Sequence, residues 1–163
     1  MLNKLILILA FALSLISCSD HHFLGEFNTI NSRDEIKGMI TTCAKDVSKN
    51  GLQAKLKYFS HDINSFWILN ETSDPLQNYN EYYKNWGAKN KLIKYEIDDM
   101  SIQVFHICEE RASFYYKATM VYTDSLGKQI DLQLLESGTV MKLNEGSNWE
   151  YLNGHTSIVS IVQ

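Results

Sequence analysis

The stretch that decides the fold is residues 111–143, RASFYYKATMVYTDSLGKQIDLQLLESGTVMKL. Phe114, Tyr116, Ala118, Met120 and Tyr122 fall at every second position between polar or exposed-type neighbours, the period of a strand with one buried face. Asp124-Ser125-Leu126-Gly127 then supplies a turn, and Ile130 to Leu143 resumes as a long strand. Strands joined so tightly must pair antiparallel. Downstream, Asn144 to Asn148 (NEGSN) reads as a second turn and Trp149 to Val162 as the last strand. Upstream, Ile93, Tyr95 and Ile97 share one parity, and Met100, Ile102 and Val104 the other. The switch at Asp98-Asp99 reads as a bulge that keeps both sets on the core side.

Before Gly87 the period is helical. Ser32-Arg33-Asp34-Glu35 has the spacing of a capping box, Ile36, Ile40, Cys43 and Val47 share a face, and Asn50-Gly51 supplies the stop. A short second helix, Leu52 to Phe59, presents Leu52, Leu56 and Phe59; Ile63 to Leu69 reads as a short strand. Asn70 to Asn78 holds the only proline, Pro75, and reads as a loop. Tyr79, Tyr82, Tyr83 and Trp86 give a third helix an aromatic stripe. Three helices followed by long antiparallel strands make an α+β fold in which the helices cover one face of a curved sheet and leave a concave space.

The N-terminus, MLNKLILILAFALSLISCSD, places one cation, Lys4, before an apolar run from Leu5 to Ile16. That is the layout of a secretory signal peptide, and the run is shorter than the roughly 20 residues of a spanning helix. Leu15-Ile16-Ser17-Cys18 resembles a bacterial lipobox. The expected organisation is a signal peptide over 1–17, a lipidated tether over 18–31 and one domain over 32–163. Acyl chains on Cys18 would hold that domain at a membrane of the cell envelope without crossing it. Loss of Lys4 takes the formal charge from −4 to −5. A mildly acidic chain without a Lys/Arg block argues against nucleic acid as a partner. Cys43 and Cys108 read as two thiols on separate elements, since nothing in the sequence brings them together.

These elements together are similar to the SnoaL-like branch of the nuclear transport factor 2-like superfamily. The matching pieces are the helix ending at Asn50-Gly51, Tyr58-Phe59-Ser60-His61-Asp62, Tyr95-Glu96-Ile97-Asp98-Asp99, Arg111-Ala112, the Asp124–Gly127 hairpin and the W-x5-H-x-S spacing from Trp149 to Ser157. The resemblance implies a cone, a bent sheet wrapped on helices with a pocket at its wide end. It implies no single chemistry, because isomerases, cyclases, dehydratases and association domains share the shape. The isomerase mechanism uses a carboxylate base, a tyrosine and a protonated acid. Those positions align with Trp67, Cys43 and a residue near Thr139, none of which carries the needed group, so that mechanism is not expected.

Strict alternation puts Trp149, Tyr151, Asn153, His155 and Ser157 on one face, and the aromatic residues suggest that it is the concave one. His155 then has two readings. It is a general acid or base with Glu136 or Tyr115 as companion, or it is a hydrogen-bonded residue of the pocket wall alongside Ser157. The second is preferred, because catalysis needs an orienting partner that the sequence does not show. Tyr58, Trp67, Tyr82 and Trp86 complete the candidate pocket. His106-x-Cys108 and His21-His22 each fall short of a zinc ligand set, and no phosphate loop, nucleophile elbow or metalloprotease motif is present, so neither metal nor cofactor is expected. The preferred expectation is a small apolar ligand or a protein partner bound without catalysis. The alternatives are an enzyme using His155, with Tyr58 or Tyr115 as hydrogen-bond donor, and a scaffold dimerising through the outer face of the sheet.

Overall fold

The computed structural model describes residues 29–61, 65–69, 72–144 and 146–162. The signal-peptide and tether readings, with Cys18 and His21-His22, lie outside the described residues, as does the Tyr79 side chain. Helix α1 spans Thr29–Asn50, a 3-10 segment spans Leu52–Tyr58, and α2 spans Leu76–Lys89. Seven strands follow the order β2-β1-β7-β6-β5-β3, with β4 beside β5. They are β1 Phe66–Leu69, β2 Thr72–Pro75, β3 Lys91–Ile97, β4 Gln103–Phe105, β5 Arg111–Thr123, β6 Gln129–Met141 and β7 Glu150–Val162. All pairs are antiparallel except β1 with β7, so the sheet is mixed.

The expected alternation of β5 holds from Phe114 to Ala118, and β6 alternates in the same way. Phe114, Tyr116, Ala118, Leu132, Leu134 and Glu136 are buried, and the turn between the strands is tied by Asp124 Oδ1, which accepts from the amides of Leu126 and Lys128 at 2.8 and 2.9 Å. Gly127 takes φ 81° there, a conformation that a side chain resists. Helix α1 lays Ile36, Ile40, Cys43 and Val47 on the sheet, all buried as its period requires. Behind them Phe59, Trp67, Phe114 and Tyr151 form an aromatic centre, with Trp67 and Phe114 each within 5.5 Å of Tyr151, centroid to centroid.

Local readings change in four places. Helix α1 begins a turn before Ser32, so Ser32 is a buried helical residue and Glu35 turns instead to Lys142 and Trp149. The 70–78 stretch contributes an edge strand and the start of α2; Pro75 closes that strand, where its missing N–H costs no ladder bond. The parity switch at Asp98-Asp99 is a 3-10 turn capped by Asp98, whose carboxylate accepts from the Met100 amide. The bulge in β3 falls at Ile93, which is pushed outward and half exposed. Among the described residues no helix is long and apolar enough to cross a membrane.

Candidate functional site

A pocket of about 190 Å³ opens between α2, the 3-10 segment and the concave face of the sheet. Tyr82, Tyr83 and Trp86 line it from α2, because a helix places positions three and four apart on one side. The facing wall is Met120 and Tyr122 of β5, Leu132 and Leu134 of β6, and Ile158 of β7, each one inward step of its strand's pleat. Trp86 and Tyr122 meet edge to face at 5.2 Å. Tyr95, Glu136, Thr156 and Lys55 reach the same space and make it polar at one end.

That end is a buried charge pair. Lys55 Nζ donates to Glu136 Oε2, with both side chains under 5% exposed. Tyr116 donates to the same oxygen and Tyr95 donates to Oε1 at 2.8 Å. A carboxylate removed from water needs this many donors, and the ammonium supplies the compensating charge. Lys55 also lies over the Trp67 ring at 4.0 Å from its centroid and 5.8 Å from that of Tyr151, so aromatic faces receive the rest of its charge. Trp67 is fixed in turn by its indole N–H, which donates to Thr156 Oγ1 at 2.8 Å.

The neighbouring groups are held protonated. Burial raises Tyr95 and Tyr116 well above the usual tyrosine range, and the Glu136 charge raises them further, so both hydroxyls serve as donors. Tyr151 is raised well above that range too, chiefly by burial. Burial pushes the Cys43 thiol up to about 12, against the opposing pull of the Lys55 ammonium, which leaves it unreactive near neutral pH. Glu136 Oε2 is taken by two donors and Oε1 by one, leaving an acceptor position on Oε1. The arrangement can orient the polar end of a bound molecule. It offers no thiolate or phenolate nucleophile.

The sequence-derived site residues separate into three groups. Tyr82, Trp86 and Glu136 line the pocket, and Trp67 and Tyr151 pack behind its floor. Tyr58 and Trp149 line a different, open groove of about 590 Å³ together with Glu35, Lys57 and Lys142. There Tyr58 donates to Asp46, and Glu35 accepts from Lys142 at 2.7 Å and from the Trp149 indole at 3.0 Å. Tyr115, His155 and Ser157 lie on the outer face of the sheet. Ser137 stands between Tyr115 and His155 in register, while Glu136, one residue earlier, pairs with Tyr116 and Thr156 on the inner face.

The placement of His155 corrects the expectation from alternation. Asn153 pairs with Thr139 but Tyr151 with Val140, so Leu152 is an extra residue in β7. That single insertion reverses the parity: Tyr151 points inward, but so do Gly154 and Thr156. His155 is left half-buried outside, its Nδ1 3.2 Å from Ser157 Oγ. It faces neither Glu136 nor the pocket. Lys55, Tyr95, Tyr116 and Thr156 are polar site residues that the sequence reading missed. Lys55 sits three after Leu52 and four before Phe59, on the apolar face of its own segment, and Glu136 follows Leu132 and Leu134 at inward parity. Two opposite charges at core positions were the available signal. Among the described residues no three His, Cys, Asp or Glu side chains converge as a metal ligand set.

The sequence matches no protein-family model and no curated protein. Solved structures match its shape. A nuclear transport factor 2-like superfamily protein from Salmonella enterica serovar Typhimurium LT2 superposes with a TM-score of 0.67 at 15% identity, covering 82% of this chain and 94% of that one. A protein of the same fold and of unknown function from Prochlorococcus sp. NATL2A gives 0.63 at 14% identity, covering 78% and 92%. A ketosteroid isomerase-like protein from Erwinia carotovora atroseptica SCRI1043 gives 0.59 at 14% identity, covering 82% and 99%. Likeness at these identities concerns the backbone alone. The chain has the nuclear transport factor 2-like fold, an α+β cone of helices wrapped by a curved sheet.

Proposed function

We propose that this domain binds a small, largely apolar molecule in the 190 Å³ pocket, without converting it, while a lipid on Cys18 holds the domain at a bacterial envelope membrane. The observation that carries the binding reading is a pocket walled by aromatic and aliphatic side chains with one fixed polar end, the Lys55–Glu136 pair. Binding without turnover is supported by the state of that end. Its hydroxyls and thiol are held protonated, and its carboxylate is paired with the Lys55 ammonium. Native mass spectrometry of the chain purified gently from its own host tests the reading. A co-purifying small molecule that is lost when Leu134→Trp fills the pocket supports it. An empty protein whose tryptophan emission ignores a panel of apolar compounds overturns it.

The anchor rests on the Leu15-Ile16-Ser17-Cys18 motif at the end of its apolar run. Release of Cys18→Ser into the soluble fraction is the expected result, and unchanged membrane association sinks this part. A second role, self-association, is favoured by the outer face of the sheet. Phe66, Phe105 and Tyr115 are each about 40% exposed there, more apolar surface than a solvated sheet face requires.

A further inference from the structure

We propose that the pocket selects neutral single-ring aromatic compounds bearing a hydroxyl or primary amide, and rejects the corresponding anions. This rests on the binding reading above and specifies its ligand. Size sets the first limit. A cavity of roughly 150 Å³ takes benzene, so about 190 Å³ takes one ring with a polar substituent and excludes a fused polycycle. Shape sets the second: Tyr82, Trp86 and Tyr122 present ring surfaces, which favour a flat guest.

Charge sets the third limit. The Lys55 ammonium is already matched by Glu136, so the floor carries no net charge. An anion entering there meets the Glu136 carboxylate and must break the existing pair to reach Lys55. An ammonium meets the opposite obstacle. Either ion also loses part of its hydration among the aromatic and aliphatic side chains of the pocket, where each charge of the floor is already paired. A hydroxyl or an amide N–H faces neither cost, because it can donate to the open position on Glu136 Oε1 beside the Tyr95 hydroxyl.

The test uses the purified full chain and 4-nitrophenol, whose anion absorbs visible light and which ionises near neutral pH. At its half-ionisation pH, added protein is expected to lower phenolate absorbance, and 4-methylbenzamide is expected to restore it by displacement. Binding of the neutral form about tenfold tighter than the anion corresponds to about 1.4 kcal/mol. Tryptophan emission should then respond to p-cresol at concentrations where p-toluate gives no response. A rise in phenolate absorbance, or p-toluate binding as tightly as p-cresol, overturns the selectivity. So does a tryptophan response to toluene that equals the response to p-cresol, and each of these leaves the pocket reading intact. No response to any of the five compounds overturns both.

Discussion

Gly138 of β6 and Gly154 of β7 lie directly opposite each other, and neither has room for a methyl group. A Cβ on Gly154 would come closer than 3.0 Å to the Trp67 ring, and one on Gly138 closer than 3.0 Å to the backbone of β7. The bare Gly154 backbone lets Trp67 lie against the sheet, where it supports Lys55. Gly154→Ala is therefore expected to destabilise the fold by about 1–3 kcal/mol, read as a lower urea midpoint at constant slope. Gly38→Ala, on the exposed side of α1 with nothing within 4 Å, should instead add about 0.5–1 kcal/mol.

Lys55 and Glu136 should couple strongly. Lys55→Met leaves a buried carboxylate without its counter-charge, at an expected cost of about 3–5 kcal/mol. Glu136→Leu strands the ammonium and two tyrosine hydroxyls. Combining the two removes both stranded charges, so the double variant should be less destabilised than the sum of the singles by about 2 kcal/mol, within the usual range for residues in contact. Additive losses in a denaturation cycle would mean that the pair is not the organising contact of the floor.

Alkaline pH should weaken the protein. Cys43 and the tyrosines at positions 95, 116 and 151 have folded-state values raised above their unfolded ones, chiefly by burial. Their contribution is complete below the unfolded values and is lost as pH rises. For Cys43 the window runs from its ordinary 9.0 to about 12, where the unfolded chain has released a proton that the native one retains. Cys43 costs about 1.4 kcal/mol per pH unit in that interval, and the tyrosines add their own loss only above their ordinary 10.0. Cys43→Ala should flatten the decline of stability above pH 9.0 measured by urea titration.

His155→Ala should change stability by no more than about 0.5 kcal/mol and leave ligand binding intact, because His155 is half-buried on the outer face. Thr156→Val, one residue on, should cost about 1 kcal/mol through the lost Trp67 hydrogen bond. The contrast shows what the sequence could reveal. Strands β5 and β6 were legible because their period runs unbroken from Phe114 to Tyr122 and from Leu132 to Glu136. The middle of β7 was not, because one inserted residue, Leu152, reverses the side chains from Asn153 to Ile158 until a second shift at Val159, and neither leaves a compositional trace. The pocket mouth was legible in the spacing of Tyr82 and Trp86. Its floor required pairing Lys55 with Glu136 across 81 residues, a match that only tertiary structure reveals.

Self-association should depend on the outer row formed by Tyr115, Ser137 and His155, which lie side by side across β5, β6 and β7. Ser137 lies between the two larger groups, and Phe105 extends this surface at 6.1 Å from the Tyr115 ring. A second sheet laid on this face would cover Phe66, Phe105 and Tyr115 together. Tyr115→Glu places a charge at its centre, where a dimer would have to desolvate it while the monomer keeps it in water. Sedimentation velocity is expected to show a concentration-dependent dimer for the parent chain and a monomer for the variant, with equal melting temperatures at concentrations where both are monomeric, because Tyr115 is exposed. A parent chain that stays monomeric across the concentration series would remove the self-association role and leave pocket binding as the sole proposal for the domain.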